Sequence, residues 1–468
     1  MRTRGVAALQ VNISARTALR GVLAAGLLVM LGANLPGHLS YDSVAQLYEG
    51  HFHIRETWGP ALYAWVLGFF DRFVPGTALY VTVSGLILTV ALASMTDLRP
   101  RTRWIAVLVA AGLVLTPQLL IYQGIVWKDV MFANSAVAGT ICLAHAARTW
   151  SDARRRWLLL LLALLLIAAG TQVRQNGIIA GAFAALALGW IGAQGRWRRG
   201  VAWGVGGFVA LLVVGHFLTV FSEPPKAPKE TSLSTGLRIV QVYDLVGATV
   251  IDPTYPLDIL KAANPGAPAA VAIIRERAKL DYSGRRVDFL DRDNAIQGPL
   301  NSIPDEAYSA QWIDLITKHP VTYLKIRWED FRWVFVPPVV DWCLPVYVGV
   351  DAPIEKMAPL GLKHRFVQAD AQLNNYASWF FGTPVYEHSF WAGLSLVLAG
   401  LLLWRRQPTD IAMAGLQLAG AAFAASFFII SIACDYRYMY FTDLASMAGL
   451  LYAAIDFPTP WRKLGEPR

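Results

Sequence analysis

The chain has 468 residues, of which 55% are hydrophobic and 16% charged, and its formal net charge is +9. A soluble chain would carry about a quarter charged residues, so an ordinary globular protein is excluded and a length-based domain count does not apply. The positive residues lie beside apolar blocks and not in any RNA- or DNA-binding motif, so they read as a topology signal and no nucleic-acid partner is expected.

The apolar blocks run about 17–22 residues, long enough to cross a roughly 30 Å hydrocarbon core as helix. In chain order they predict spans at 17–36, 77–95, 104–121, 129–148, 156–171, 177–193, 200–221, 388–404, 410–432 and 440–456. The fold class is therefore an all-α polytopic membrane protein of about ten transmembrane helices. The first block follows Arg2, Arg4, Arg16 and Arg20, as a signal peptide would. Ala33-Asn34-Leu35-Pro36-Gly37 offers no clean small-x-small cleavage site, so the block reads as an uncleaved span.

Charge alternates from loop to loop. One side carries those four arginines, then Arg99, Arg101 and Arg103, then Arg148, Arg154, Arg155 and Arg156, and continues with Arg196, Arg198 and Arg199, with Arg405 and Arg406, and with Arg462, Lys463 and Arg468. The short loops of the other side hold only Arg55, Arg72, Lys128, Arg174 and Arg437. Basic loops face the cytoplasm, which expects both termini there in a multi-pass protein of the plasma (inner) membrane. The chain then divides into an N-terminal membrane domain (1–221, with a first outer loop at 37–76), a mainly helical extracytoplasmic domain (222–387) and C-terminal membrane helices (388–468).

Within the first outer loop, 41–50 is a short amphipathic stretch. The segment 60–73, led by Pro60 and rich in aromatics, reads as a helix lying at the interface. The long outer segment opens with a stiff linker over 223–230, and helical patterns follow at 268–280, 304–318, 320–335 and 366–381. Pro304 with Asp305 and Glu306 makes a good helix start. Trp312, Trp328, Trp333, Trp342 and Trp379 suit either contact with lipid headgroups or packing of the domain core. The apolar run 331–350 contains Pro337, Pro338 and Asp341 and is not read as a span. Cys142 lies inside a span. Cys343 and Cys434 both face outward and can bridge in an oxidising compartment, although sequence does not fix the pairing.

Four outer segments place charged or polar groups at the membrane surface: Ser40-Tyr41-Asp42-Ser43, Trp127-Lys128-Asp129, Gln172-Val173-Arg174-Gln175-Asn176 and Cys434-Asp435-Tyr436-Arg437-Tyr438. Charges at span ends are costly unless paired or wetted, and they often mark function. Converging on one site, they suit a donor whose phosphate is carried by a lipid. Lys128, Arg174 and Arg437 would hold that phosphate and stabilise its charge as it leaves. A good leaving group needs no second acid of the kind a glycosidase uses, so one carboxylate, Asp42, suffices as base for an acceptor hydroxyl. The other reading of Asp42 is the N-cap of the helix that follows. Asp129 and Asp435 read first as salt-bridge partners, with Gln175, Tyr438 and Trp58 in supporting positions. His51 and His53 could bind a divalent metal together with Asp42. No other cofactor is indicated.

The stretches Pro36-Gly37-His38-Leu39-Ser40-Tyr41-Asp42 and Trp58-Gly59-Pro60-Ala61-Leu62-Tyr63-Ala64-Trp65 resemble the GT-C superfamily of integral-membrane glycosyltransferases, which includes protein O-mannosyltransferases and lipid A aminoarabinose transferases. The resemblance extends to span count and to a large extracytoplasmic segment. It implies a polyprenyl-phosphate sugar donor, an acceptor that is a glycan, a lipid or a protein, inverting transfer on the outer face of the membrane, and catalysis by Asp42. Gly59 stands where His is common and Ala61 replaces a second Pro, so no histidine role carries over there. The Trp127-Lys128-Asp129 and Asp435-Tyr436-Arg437-Tyr438 segments look like those of uncharacterised bacterial members. The segment 222–387 resembles no known domain. An O-antigen polymerase or ligase would lean on Arg and His more than on an early Asp. A lipid-linked sugar transporter would favour internal repeats and charges near the midplane. An envelope structural protein would leave the outward polar clusters unexplained.

Overall fold

A computed structural model describes residues 13–57, 59–224, 232–290 and 294–456. Trp58 and residues 225–230 of the expected linker lie outside the described residues. The first span is α1 (Ala15–Asn34), and α2 (Tyr41–Phe52) and α3 (Ala61–Asp71) fall in the stretch expected as the first outer loop. The N-terminal bundle continues through α4 (Ala78–Ser94), α5 (Trp104–Val114), α6 (Pro117–Leu120), α7 (Lys128–Arg148), α8 (Ala153–Val173), α9 (Ile178–Ala193) and α10 (Trp197–Ser222). The segment 222–387, expected on the outer side and hence the outer segment, holds α11 (Ser232–Ile251), α12 (Asp258–Lys261), α13 (Ala267–Asp281), α14 (Asn294–Asn301), α15 (Asp305–Lys318), α16 (Pro320–Phe335), α17 (Ile354–Met357) and α18 (Gln368–Ser378). Three helices return to the bundle: α19 (His388–Arg405), α20 (Pro408–Ile430) and α21 (Tyr440–Ile455).

The protein is a multi-pass, all-α membrane protein. Seven described helices are long and apolar enough to cross a membrane, eight if the pair Trp104–Val114 and Pro117–Gly124, bent by 71°, counts as one span. That bend falls at Pro117, which has no N–H with which to extend the preceding helix. The sequence count of ten is not reached by this standard. At the eighth and tenth expected positions stand α19 and α21. The first begins with His388 and ends with Trp404 and Arg405, and the second has only 16 residues. Both pack against α20 within the bundle. The central helix is α7, 83% buried, and its Ala133, Ala136, Ala138 and Gly139 let neighbouring backbones approach. By contrast, α10 turns Val205, Val209, Val213, Phe217 and Val220 outward, as a lipid-facing helix does.

The short α3, expected at the interface, is too short to cross a membrane as a helix and lies against α2. Their backbones nearly touch at Gly50 and Gly68, where a β-carbon on either would strike the opposing main chain. In the outer segment α13, α15, α16 and α18 fall where the helical patterns were read, whereas α11 had no counterpart. Residues from Tyr243 to Ile326 build a core of their own. Phe331, Val334, Val346, Met357 and Ala377 join the core of the bundle instead, so the segment belongs to two packing units. The tryptophans divide as well. Trp312 donates its indole N–H to buried Asp244 at 2.7 Å, while Trp328, Trp342 and Trp379 are more than half exposed. Cys343 and Cys434 are joined in a disulfide, with Cα atoms 5.0 Å apart.

Candidate active site

The described residues contain no β-strand, yet isolated backbone bridges place the site. His38 N–H donates to Gly124 O at 2.9 Å, and Val126 N–H returns to His38 O at 3.0 Å. Leu39 N–H donates to Gly349 O, and Asp351 N–H to Leu39 O. One extended turn after α1 is thereby clamped between the entry to α7 and the outer segment. His38 locks the clamp. Its Nε2 lies 3.0 Å from Asn34 Oδ1, and its Nδ1 accepts from Gly349 N–H at 3.0 Å. Burial, and then the nearby Arg365 guanidinium, lower its pKa to about 4 despite Asp370, so the ring is neutral.

Two residues further on, α2 begins. Its N-cap is Ser40, paired with Ser43 in a capping box. Asp42 sits inside the first turn and is not the cap. Its side chain is 55% exposed and accepts from Arg437 Nη2 at 2.8 Å. Burial of the surroundings raises the Asp42 pKa, but the charge and hydrogen bond of Arg437 and the charge of Lys128 outweigh that, and the net direction is down.

Arg437 reaches Asp42 because its own segment is stapled. Cys434 N–H donates to Arg285 O and Val287 N–H to Ile432 O, both at 2.8 Å, and the disulfide adds a covalent tie. The side chains that follow divide the work. Tyr436 points into the bundle, its hydroxyl 2.6 Å from Asp443 and its ring stacked on His388 at 4.1 Å. Arg437 faces outward over the Trp127 ring at 4.9 Å. Tyr438 stacks on Phe427. Asp435 is buried, pairs with Arg286 and lies 3.3 Å from Arg437. Burial raises its pKa against the pull of those two arginines.

Asp42, Lys128 and Arg437 line one cavity of about 320 Å³, together with Tyr41, Gln46, Glu56 and Tyr63. A second cavity of about 690 Å³ opens toward the outer segment and is lined by Arg238, Arg286, Asp288, Asn301, Tyr347 and Tyr438 among others. Tyr41, Asp42, Trp127 and Arg437 line both, so they form the partition between the two cavities.

Other expected site residues fall elsewhere. Arg174 lines neither cavity. It pairs with Asp129 at the start of α7, donates to Tyr438 O at 3.3 Å and lies over the Tyr438 ring at 5.1 Å. Gln175 lies beside Gly236 of α11. His51 and His53 do not meet Asp42. His51 sits at the far end of α2, about 13 Å along the helix from Asp42 at 1.5 Å per residue, with its Nδ1 2.5 Å from Asp71, and His53 lies beyond it as the C-cap. Among the described residues no group of three or more His, Cys, Asp or Glu is arranged to hold a metal ion, and both Asp42 and Asp435 are turned to Arg437. Sequence reading missed Trp127 as a wall, although it lies in a motif singled out there. It also missed Arg286 and Asn301, which carry no sequence signal.

No protein-family model and no curated protein matches the sequence. Over 93% of its length the chain is similar to the oligosaccharyltransferase of Archaeoglobus fulgidus in complex with Zn and sulfate (12% identity, TM-score 0.41), and it spans 48% of that protein, about half its length. The A. fulgidus oligosaccharyltransferase AglB in complex with an inhibitory peptide and a dolichol-phosphate gives 13% identity and a TM-score of 0.39, with 93% and 50% of the two chains covered. ArnT from Cupriavidus metallidurans bound to undecaprenyl phosphate gives 15% identity and a TM-score of 0.35, with 92% and 77% covered.

Proposed function

We propose that the chain is a membrane glycosyltransferase of GT-C type that moves a sugar from a polyprenyl-phosphate donor to an extracytoplasmic acceptor, with inversion. The observation that carries this reading is the partition: one carboxylate and one guanidinium stand between two cavities and face both. The donor occupies the first cavity, its phosphate between Lys128 and Arg437. The acceptor occupies the second. The acceptor oxygen attacks the anomeric carbon from the side opposite the phosphate, which inverts that centre. The bond from carbon to phosphate oxygen breaks, its electron pair leaves on the phosphate, and the hydroxyl proton passes to Asp42. Lys128 and Arg437 stabilise the growing phosphate charge, while Arg174 acts through Asp129 to position the start of α7.

A carboxylate with a lowered pKa is a weak base. Donor binding corrects this. The phosphate competes for Arg437 and adds negative charge beside Asp42, and both effects raise the Asp42 pKa. The base strengthens only when there is a sugar to transfer. The site faces the outside. Support comes from the arginine asymmetry and from the disulfide beside the site, which persists in oxidising compartments.

The test uses the full chain in lipid nanodiscs with an extracted pool of isotope-labelled polyprenyl-phosphate sugars and an envelope acceptor fraction. Wild type is expected to release free polyprenyl phosphate and label the acceptor, and Asp42→Asn to slow both by about 10³-fold. Equal release by the two proteins, or translocation of donor without cleavage, would overturn the reading.

A further inference from the structure

The second cavity has a composition that selects among acceptor classes. Its ionisable lining, among the described residues, is four carboxylates (Asp42, Asp288, Asp351, Asp435) against three guanidinium groups (Arg238, Arg286, Arg437). Each arginine already has acidic partners: Arg286 has Asp435 and Asp288, Arg437 has Asp42 and Asp435, and Arg238 has Asp305 at 2.5 Å. The side chains of Asp288 and Asp351 are 63% and 76% exposed, and Asp351 lies 3.0 Å from His364. No surplus positive charge remains to draw in a phosphorylated or uronic-acid acceptor, which would meet exposed carboxylates instead.

Between these charges stand Gln297 and Asn301 with the rings of Tyr41, Trp127, Tyr347 and Tyr438. That combination fits a sugar. A pyranose offers a flat face of C–H groups, which an aromatic ring buries, and an edge of hydroxyls that both donate and accept. Amides and carboxylates answer those hydroxyls. A peptide acceptor fits less well. Extended peptides are recognised through backbone pairing on a sheet edge or through an apolar groove for a helix, whereas this wall is side chains on helices and turns. A volume of about 690 Å³ lies inside the usual range for a small-ligand site.

Resting on the transferase reading above, we propose that the second cavity binds the end of a neutral oligosaccharide and presents one of its hydroxyls to Asp42. That hydroxyl loses its proton to Asp42 as its oxygen bonds to the donor sugar, and the product is the oligosaccharide longer by one residue plus polyprenyl phosphate.

The experiment takes the full chain in nanodiscs as the Asp42→Asn variant, so that nothing turns over. Saturation-transfer NMR measures binding of maltotetraose, mannotetraose and β-galactotetraose, each against tetragalacturonic acid and a Ser/Thr-rich decapeptide. At least one neutral tetrasaccharide is expected to bind, at least 10-fold more tightly than the acidic one, and to weaken at least 10-fold in Asn301→Leu and Tyr347→Ala. Preference for the acidic sugar or the peptide, no binding by any neutral sugar, or binding indifferent to those substitutions would overturn the proposal. Release of polyprenyl phosphate by the Asp42-intact protein is measured in parallel. Asp42-dependent release with no neutral sugar bound sinks this inference alone, whereas loss of Asp42-dependent release sinks the transferase reading.

Discussion

Arg327 and Arg437 each bridge a pair of carboxylates, and their settings differ. Arg327 on α16 lies between Asp244 of α11 and Asp330, with all three side chains 0% exposed. It also donates to Ile429 O and Ser431 O at 3.0 Å each, at the end of α20. Burial pushes both carboxyls up, Asp330 to about 8 and Asp244 to about 6, against the charge of Arg327. Arg437 has the same pairing, but one of its carboxylates, Asp42, is open to two cavities. The sealed cluster is a latch between the outer segment and the bundle. The open one can exchange a partner for a ligand. Opening one carboxylate is what turns a structural ion pair into a candidate site.

The largest effect tests the sealed half. Arg327→Met leaves two carboxyls facing each other without a cation or its carbonyl contacts, and breaking a buried pair costs about 3–5 kcal/mol. The variant is expected to lose most of its folded yield, as read by size-exclusion profile in detergent, whereas Asp42→Asn keeps it. Equal yields for the two would erase the distinction. Next comes the staple that holds the open half. The disulfide spans a sequence separation of 91, and a Cys343→Ser and Cys434→Ser double variant is expected to lose about 2–4 kcal/mol, seen as a lower Tm.

The clamp at His38 sets a pH dependence. Its folded pKa is about 4, below the ordinary 6.5, so the unfolded chain takes up the proton first as pH falls. The His38 contribution to stability is constant above about pH 6.5 and declines between 6.5 and 4 by up to about 3 kcal/mol, while the raised carboxyls of Asp244 and Asp330 act in the opposite sense. Tm measured across that range isolates the His38 contribution as a difference, and the margin of wild type over His38→Gln is expected to narrow as pH falls from 6.5 to 4. The smallest effect sharpens the open half. Arg437→Lys keeps the charge but loses the fork that spans two carboxylates, and donor affinity is expected to drop by about 10-fold, as read by donor titration in nanodiscs.

How far the sequence foretold this follows from what each residue answers to. The sequence grouped Asp42, Lys128 and Arg437 because each flanks an apolar span at the same expected end, and the three line one cavity. The helices α13, α15, α16 and α18 were legible from periodicity. Arg174 was read as a phosphate ligand, whereas it lies against Asp129 and lines neither cavity, because charge alone does not tell a ligand-facing cation from one held by a carboxylate. The capping reading of Asp42 turned on a shift of two residues to Ser40, below the accuracy of element boundaries. The second cavity was invisible. Its wall comes from Arg238, Asn301 and Tyr347, brought to Asp42 by the backbone bridges at His38, Leu39 and Arg286, which no local pattern announces.

The central claim is that Asp42 takes the proton and does not merely hold Arg437 in place. The direct measurement is a split between donor binding and turnover in Asp42→Asn, using one labelled polyprenyl-phosphate sugar in nanodiscs. If Asp42 takes the proton, donor binding stays within a few-fold of wild type while release of polyprenyl phosphate slows by about 10³-fold. Donor binding lost in proportion to turnover would contradict the claim, because Asp42 would then serve the phosphate site and not the acceptor.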